Sequence, residues 1–143
     1  MSLAELFESG EMKEHKGAFR NLVLIAKADG FISEVEKEML DRMGDFLGLR
    51  DDQKADILSN PEKYPINPPV SLQERRERLV DLVRMVMVDG EIDAREMKVL
   101  YKCGVGLGYK DTDLPYLVNR IQHYILQGMD RNGVIEAMLS EQV

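Results

Sequence analysis

At 143 residues and 44% apolar content, the chain is the size of one domain with one sizeable core, which excludes a disordered polymer or a disulfide scaffold. Its 26 acidic and 19 basic residues leave a net charge of −7, which repels phosphate backbones and anionic membrane surfaces and excludes nucleic acid as the expected partner. The single cysteine, Cys103, forms no intramolecular disulfide, and no basic-then-apolar leader opens the chain, so the cytoplasm is the expected compartment. The longest apolar runs, 22–26 and 85–88, fall far short of the ~20 residues of a membrane-spanning helix.

In chain order, Ser2 and Glu5 have the spacing of a helix-capping box, although Met1, Ser2 and Leu3 need not all be native. Ala18, Phe19, Leu22, Val23, Ile25 and Ala26 recur at three- and four-residue spacing and predict an amphipathic helix that stops at Gly30. Ser33 with Glu36 is a second capping box, preceded by Ile32 as a hydrophobic staple. The helix it opens carries Met39, Leu40, Met43 and Leu47 and stops at Gly48, and Asp51 begins a third. Pro61, Pro65, Pro68 and Pro69 mark a linker over 59–70.

Beyond the linker the same order returns. Ser71 and Glu74 cap a helix carrying Leu79, Leu82, Val83, Met85 and Val86, which stops at Gly90. Asp93 with Glu96, behind Ile92, opens a helix through Val99, Leu100, Cys103 and Leu107 that Gly108 stops, and Asp111 begins the next. A terminal helix starts at Asp130 with Val134, Ile135, Met138 and Leu139 on one side. Displaced by sixty residues, 22–51 and 82–111 share 11 identities in 30 positions, with no gap. The expected fold is therefore all-α, one domain over 1–143. It is a helical bundle of two pseudo-symmetric helix-turn-helix repeats, at about 15–58 and 71–127, with a terminal helix at about 130–140.

The most informative string is the turn that occurs twice, Asp-Gly-x-Ile-x-x-x-Glu, at 29–36 and 89–96. It coincides with the second half of a calcium-binding EF-hand loop, but the early oxygen ligands are replaced by Ile25 and Lys27 in one copy and Met85 and Met87 in the other. A regular EF-hand is excluded. Asp29 and Asp89 each continue the apolar stripe of the preceding helix and sit at its negative end, so each carboxylate needs compensation. Two sources are open: backbone N–H groups of the following turn, or a divalent cation (calcium, magnesium or zinc) shared by the repeat-related acids. The candidate metal ligands are Asp29, Asp89, Glu36 and Glu96.

Helical duplication around paired turns of this kind resembles the tellurite-resistance TerB-like family, which includes a domain of some DnaJ-like co-chaperones; the resemblance spans about 19–121. It implies an all-helical, non-catalytic module of bacterial stress-response or membrane-associated assemblies, with acidic residues in matching helices chelating a divalent metal. Those acids map onto Asp29 and Asp89, with Glu36 and Glu96 beside them.

Other features have simpler readings. Gly104-Val105-Gly106-Leu107-Gly108 ends a helix, whereas a phosphate loop precedes one, so close packing and capping account for it. His15 and His123 lack partners at catalytic spacing and are expected at surface or helix-end positions. Arg75, Arg76 and Arg78 alternate with Glu74, Glu77 and Asp81, the pattern of intrahelical ion pairs. Cys103 takes the place of Met43 and reads as a buried apolar residue. Nine methionines fill the core or line an adaptable docking surface. The expected function is a non-enzymatic stress-response or interaction module with a protein partner, without membrane insertion, and with a divalent cation at the paired turns. The alternatives are a purely structural or homodimeric helical protein without a ligand, and a metal-dependent enzyme on a small substrate.

Overall fold

The helices that follow Ser33, Ser71, Asp93 and Asp130 start where those capping residues place them. The structure, a computed structural model, describes residues 10–28, 30–63, 71–87 and 90–140, with side chains from His15 onward. Among the described residues there are seven α-helices and no strand, so the protein is all-α. The chain divides into two compact units, Met1–Pro68 and Pro69–Val143. The predicted capping box at Ser2 and most of the proline-rich linker, 64–70, lie outside the described residues.

Unit 1 holds α1 (Gly10–Lys27), α2 (Glu34–Phe46), α3 (Asp51–Ser59) and a short 3₁₀ turn, Pro61–Lys63. Helix α1 packs on α2, α3 and the 3₁₀ turn. Its stripe of Phe19, Leu22, Val23 and Ala26 is buried, as are Met39, Leu40 and Met43 of α2 and Ile57 of α3. Each of the larger side chains among them contributes up to roughly 1.5–3 kcal/mol by leaving water. Two polar clamps fasten α1 to the far end of α3: the Arg20 Nε–H donates to the Pro61 carbonyl at 2.8 Å, and the Lys27 ammonium donates to the Leu58 carbonyl. Residues 61–63, read from the prolines as linker, thus belong to unit 1, with Pro61 buried. The reason is that proline, poor inside a helix, still offers a carbonyl and an apolar ring to a neighbour.

Unit 2 holds α4 (Leu72–Val86), α5 (Ala94–Gly106), a 3₁₀ turn (Asp111–Asp113), α6 (Leu114–Leu126) and α7 (Arg131–Leu139). Helix α4 packs on α5, α6 and α7. Leu79, Leu82, Val83, Met85 and Val86 are buried with Leu100, Leu114, Leu117, Val118, Ile121, Val134 and Met138. Asp111 opens a single 3₁₀ turn and not the predicted α-helix, which begins at Leu114 with Pro115 in its first turn. There the missing proline N–H costs nothing, because the first N–H groups of a helix lack partners within it. Asp130 caps α7 by accepting the Gly133 N–H at 2.8 Å. The Arg131 guanidinium spans the Asp81 carboxylate, Nε to Oδ1 at 2.8 Å and Nη2 to Oδ2 at 3.0 Å, tying α7 to α4.

Helices α2 and α5 end alike. The Gly48 N–H donates to the Asp45 carbonyl and the Leu49 N–H to that of Gly44, at 3.0 and 2.9 Å. Gly108 and Tyr109 make the same pair of bonds to Val105 and Gly104, at 2.9 and 3.1 Å. This two-bond ending needs a left-handed residue, and Gly48 and Gly108 supply it at φ 79° and 105°. No helix among the described residues is long and apolar enough to cross a membrane.

Candidate functional site

The two acidic turns are built from the same parts. Gly30 and Gly90 take φ 94° and 117°, turning the chain so that the N-cap of the next helix stands three residues on. In unit 1 the Ser33 hydroxyl accepts the Glu36 N–H at 3.1 Å, while the Ser33 N–H donates to Glu36 Oε1 at 3.1 Å. In unit 2 Asp93 Oδ1 accepts the Glu96 N–H at 2.8 Å, and the Asp93 N–H donates to Glu96 Oε1 at 3.2 Å. The bond from the Glu96 backbone holds the Asp93 carboxyl below the usual carboxylate range. Of the predicted metal ligands, Glu36 and Glu96 therefore close a capping box within their own units; Asp29 and Asp89 lie outside the described residues. Between Gly30 and the box, Phe31 projects with 70% of its surface exposed.

A different acidic cluster, unmarked by the sequence pattern, forms in unit 1. One carboxylate oxygen from each of Asp41, Asp45 and Asp51 lies within 4.8 Å of the others. Their common partner is the Lys54 ammonium, at 2.7 Å from Asp41, 2.6 Å from Asp45 and 3.2 Å from Asp51. The charge a metal would bring is thus supplied by the chain. Burial works to lower the pKa of Lys54, but its hydrogen bonds to the three aspartates outweigh that and hold it well above the usual lysine range. The apolar stem crosses Gly44 so closely that a β-carbon there would lie 2.3 Å from Lys54 Cδ. One signal could have located this lysine: its counterpart sixty residues on is Leu114, which is fully buried over Gly104.

The remaining predicted candidates have structural partners. His15 is half-buried, its Nδ1 2.9 Å from the Leu47 carbonyl, so it closes the end of α2. Cys103 is buried, as its apolar register requires. In the arginine-rich helix α4, Asp81 and Arg84 form an intrahelical ion pair of the expected kind. Arg75 and Arg76 both turn toward the Tyr109 ring, and Asp81 pairs with Arg131 and Arg84. Arg75 and Arg76 lie on the face that meets the end of α5. The glycine run 104–108 packs and caps, as expected, with Gly104 pressed against Leu114.

These residues define an all-helical protein of two units. Its buried and half-buried charges hold helix ends to backbone carbonyls, to carboxylates and to an aromatic ring. Comparison with protein-family models, curated proteins and solved structures finds no match to the chain.

Proposed function

We propose that this protein is a non-enzymatic interaction module of the TerB-like type, serving a bacterial stress response, its two units being copies of one helix-turn-helix element. Duplication is supported by devices that recur at one offset of sixty residues: the capping boxes at 33–36 and 93–96, the left-handed glycines, and a buried side chain laid across Gly44 or Gly104. The observation that carries the interaction role is Phe31. A large aromatic ring, 70% exposed, stands on the turn between the left-handed Gly30 and the Ser33–Glu36 box. An exposed ring beside a capped helix start offers a partner with an apolar pocket a large area to bury. Glu91 stands at the same place in the second turn, so the two turns offer different chemistry.

Phe31→Glu is expected to leave the helical melting curve within about 0.5 kcal/mol of the parent, as for an exposed site. The same change should abolish co-purification of a partner that the tagged parent retains from its host extract. Undiminished retention by Phe31→Glu would remove the turn from the interface.

Divalent-cation binding at the acidic turns belongs to the same proposal, with Asp29 and Asp89 as the principal ligands and Glu36 and Glu96 beside them. Calcium, magnesium or zinc at millimolar concentration is expected to raise the melting temperature, and Asp29→Asn with Asp89→Asn to abolish the rise. A melting temperature indifferent to all three metals would leave each acid to its own backbone donors.

A further inference from the structure

We propose that Asn132 is a site of spontaneous deamidation that the Asp130 cap holds in check, and that the isoaspartate it forms unseats α7 from unit 2. In this reaction the nucleophile is the backbone nitrogen of the following residue, and that residue's own side chain crowds the attack. Asn60 and Asn67 precede prolines, whose nitrogens have no N–H to give up, while Asn21 and Asn119 precede Leu22 and Arg120. Asn132 alone precedes a glycine, and it is exposed to water. The Gly133 nitrogen loses its proton to solvent and bonds to Asn132 Cγ; the Cγ–Nδ2 bond breaks, and ammonia leaves with a proton from water. Water then opens the resulting succinimide at either carbonyl, giving aspartate or, with one more atom in the main chain, isoaspartate. Nothing is oxidised or reduced.

The fold sets both the rate and the consequence. Asn132 and Gly133 are the second and third residues of α7, where the Gly133 N–H donates to Asp130 Oδ1 at 2.8 Å. A charged acceptor at that distance keeps the proton on the nitrogen. In a helix each side chain also leans toward the N-terminus, away from the nitrogen that follows it. Attack therefore waits for the first turn of α7 to open. Opening is easiest there, because helix ends fray first and a helix of 9 residues holds only marginally by itself. Once isoaspartate forms, its extra main-chain atom lies between two anchors. On one side Arg131 spans the Asp81 carboxylate of α4; on the other Val134, Ile135 and Met138 are buried in the core of unit 2. The Val134 N–H donates to the Asp130 carbonyl at 3.0 Å across the altered residue, and the added atom breaks the ring size of that helical bond. The inference rests on neither Phe31 nor a cation.

The test holds the full chain in mildly alkaline buffer at body temperature and follows the conversion of the Asn132 amide to an acid by mass spectrometry, with isoaspartate scored separately by an isoaspartyl methyltransferase. Deamidation of the folded parent is expected to be at least about tenfold slower than that of the same chain unfolded in urea, and Asp130→Ala to raise the native rate about fivefold, the factor that a lost N-cap gives. Gly133→Ala, which places a β-carbon 3.1 Å from Asp130 Oδ1 in the fold, should slow the reaction at least about tenfold even in urea, where no cap operates. The isoaspartate form, isolated by chromatography, should melt below the parent, whereas Asn132→Asp, the other product, should melt close to it. Equal rates in native buffer and urea, equal native rates for the parent and Asp130→Ala, or an isoaspartate form that melts with the parent would overturn the proposal.

Discussion

Leu114→Ala is expected to destabilise unit 2 by about 3 kcal/mol, and Gly104→Ala by about 1–3 kcal/mol, yet the two together should cost clearly less than their sum. Leu114 is fully buried, so truncating it loses transfer free energy and leaves a void. At Gly104 the fault is the opposite one: a β-carbon would stand 2.5 Å from Leu114 Cδ2 and 2.9 Å from Cδ1, both closer than carbon atoms approach. The methyl group that clashes in the parent falls into the void left by the truncation. Urea denaturation of the parent, both single variants and the double variant measures the coupling, expected to be about 1–2 kcal/mol. Strict additivity would mean that Gly104 and Leu114 do not meet.

For the Lys54 cluster, neutralising all three of Asp41, Asp45 and Asp51 to Asn is expected to cost more than Lys54→Met. The asymmetry follows from exposure. The Lys54 side chain is 5% exposed, whereas the carboxylates it holds are 66, 62 and 100% exposed. Removing the lysine leaves three hydrated acids whose mutual repulsion water and salt screen, and methionine keeps an apolar stem across Gly44. Removing the acids leaves a buried ammonium with weaker partners. Because water reaches the acid side of the cluster, we expect about 1–2 kcal/mol for the triple variant, below the usual cost of breaking a fully buried pair.

The sign of the pH dependence is set by Lys54. Its folded pKa lies above the ordinary lysine value of about 10.4, so its stabilisation is complete below that value and is lost as pH rises through the higher folded one. The stability difference between the parent and Lys54→Met should therefore stay constant from about pH 7 to 9 and shrink only in strong alkali. Equal costs for Lys54→Met and the triple variant would show that the ammonium is solvated.

Local structure was legible in the chain because short-range chemistry sets it. Ser33 with Glu36, Asp93 with Glu96 and Asp130 announced helix starts that need only their own backbone N–H groups, and Gly48 and Gly108 marked stops that need a left-handed residue. Stripes such as Leu79, Leu82, Val83 and Val86 were legible for a similar reason, since an apolar residue on a periodic face has one favourable destination. Glu36 and Glu96 show the limit of that reading. The glutamate that ends a capping box and the glutamate that ends a metal loop stand at the same spacing, and the structure shows both side chains making the capping bond.

Long amphipathic side chains were not legible, because their destination depends on what lies opposite. A lysine or arginine can lie along a core or stretch into water, and its own sequence neighbours do not choose. Lys54 turns inward because Gly44 leaves room for its stem and three aspartates from α2 and α3 meet its end. Arg75 and Arg76, whose spacing read as intrahelical ion pairs, turn to Tyr109 because the end of α5 lies across that face. By itself the sequence determined the all-helical class, most helix limits and the apolar stripes, which follow from hydrogen bonding and periodicity within a few residues. Tertiary structure alone decided which charges are buried and what they face, because burial and pairing are properties of surfaces brought together from distant parts of each unit.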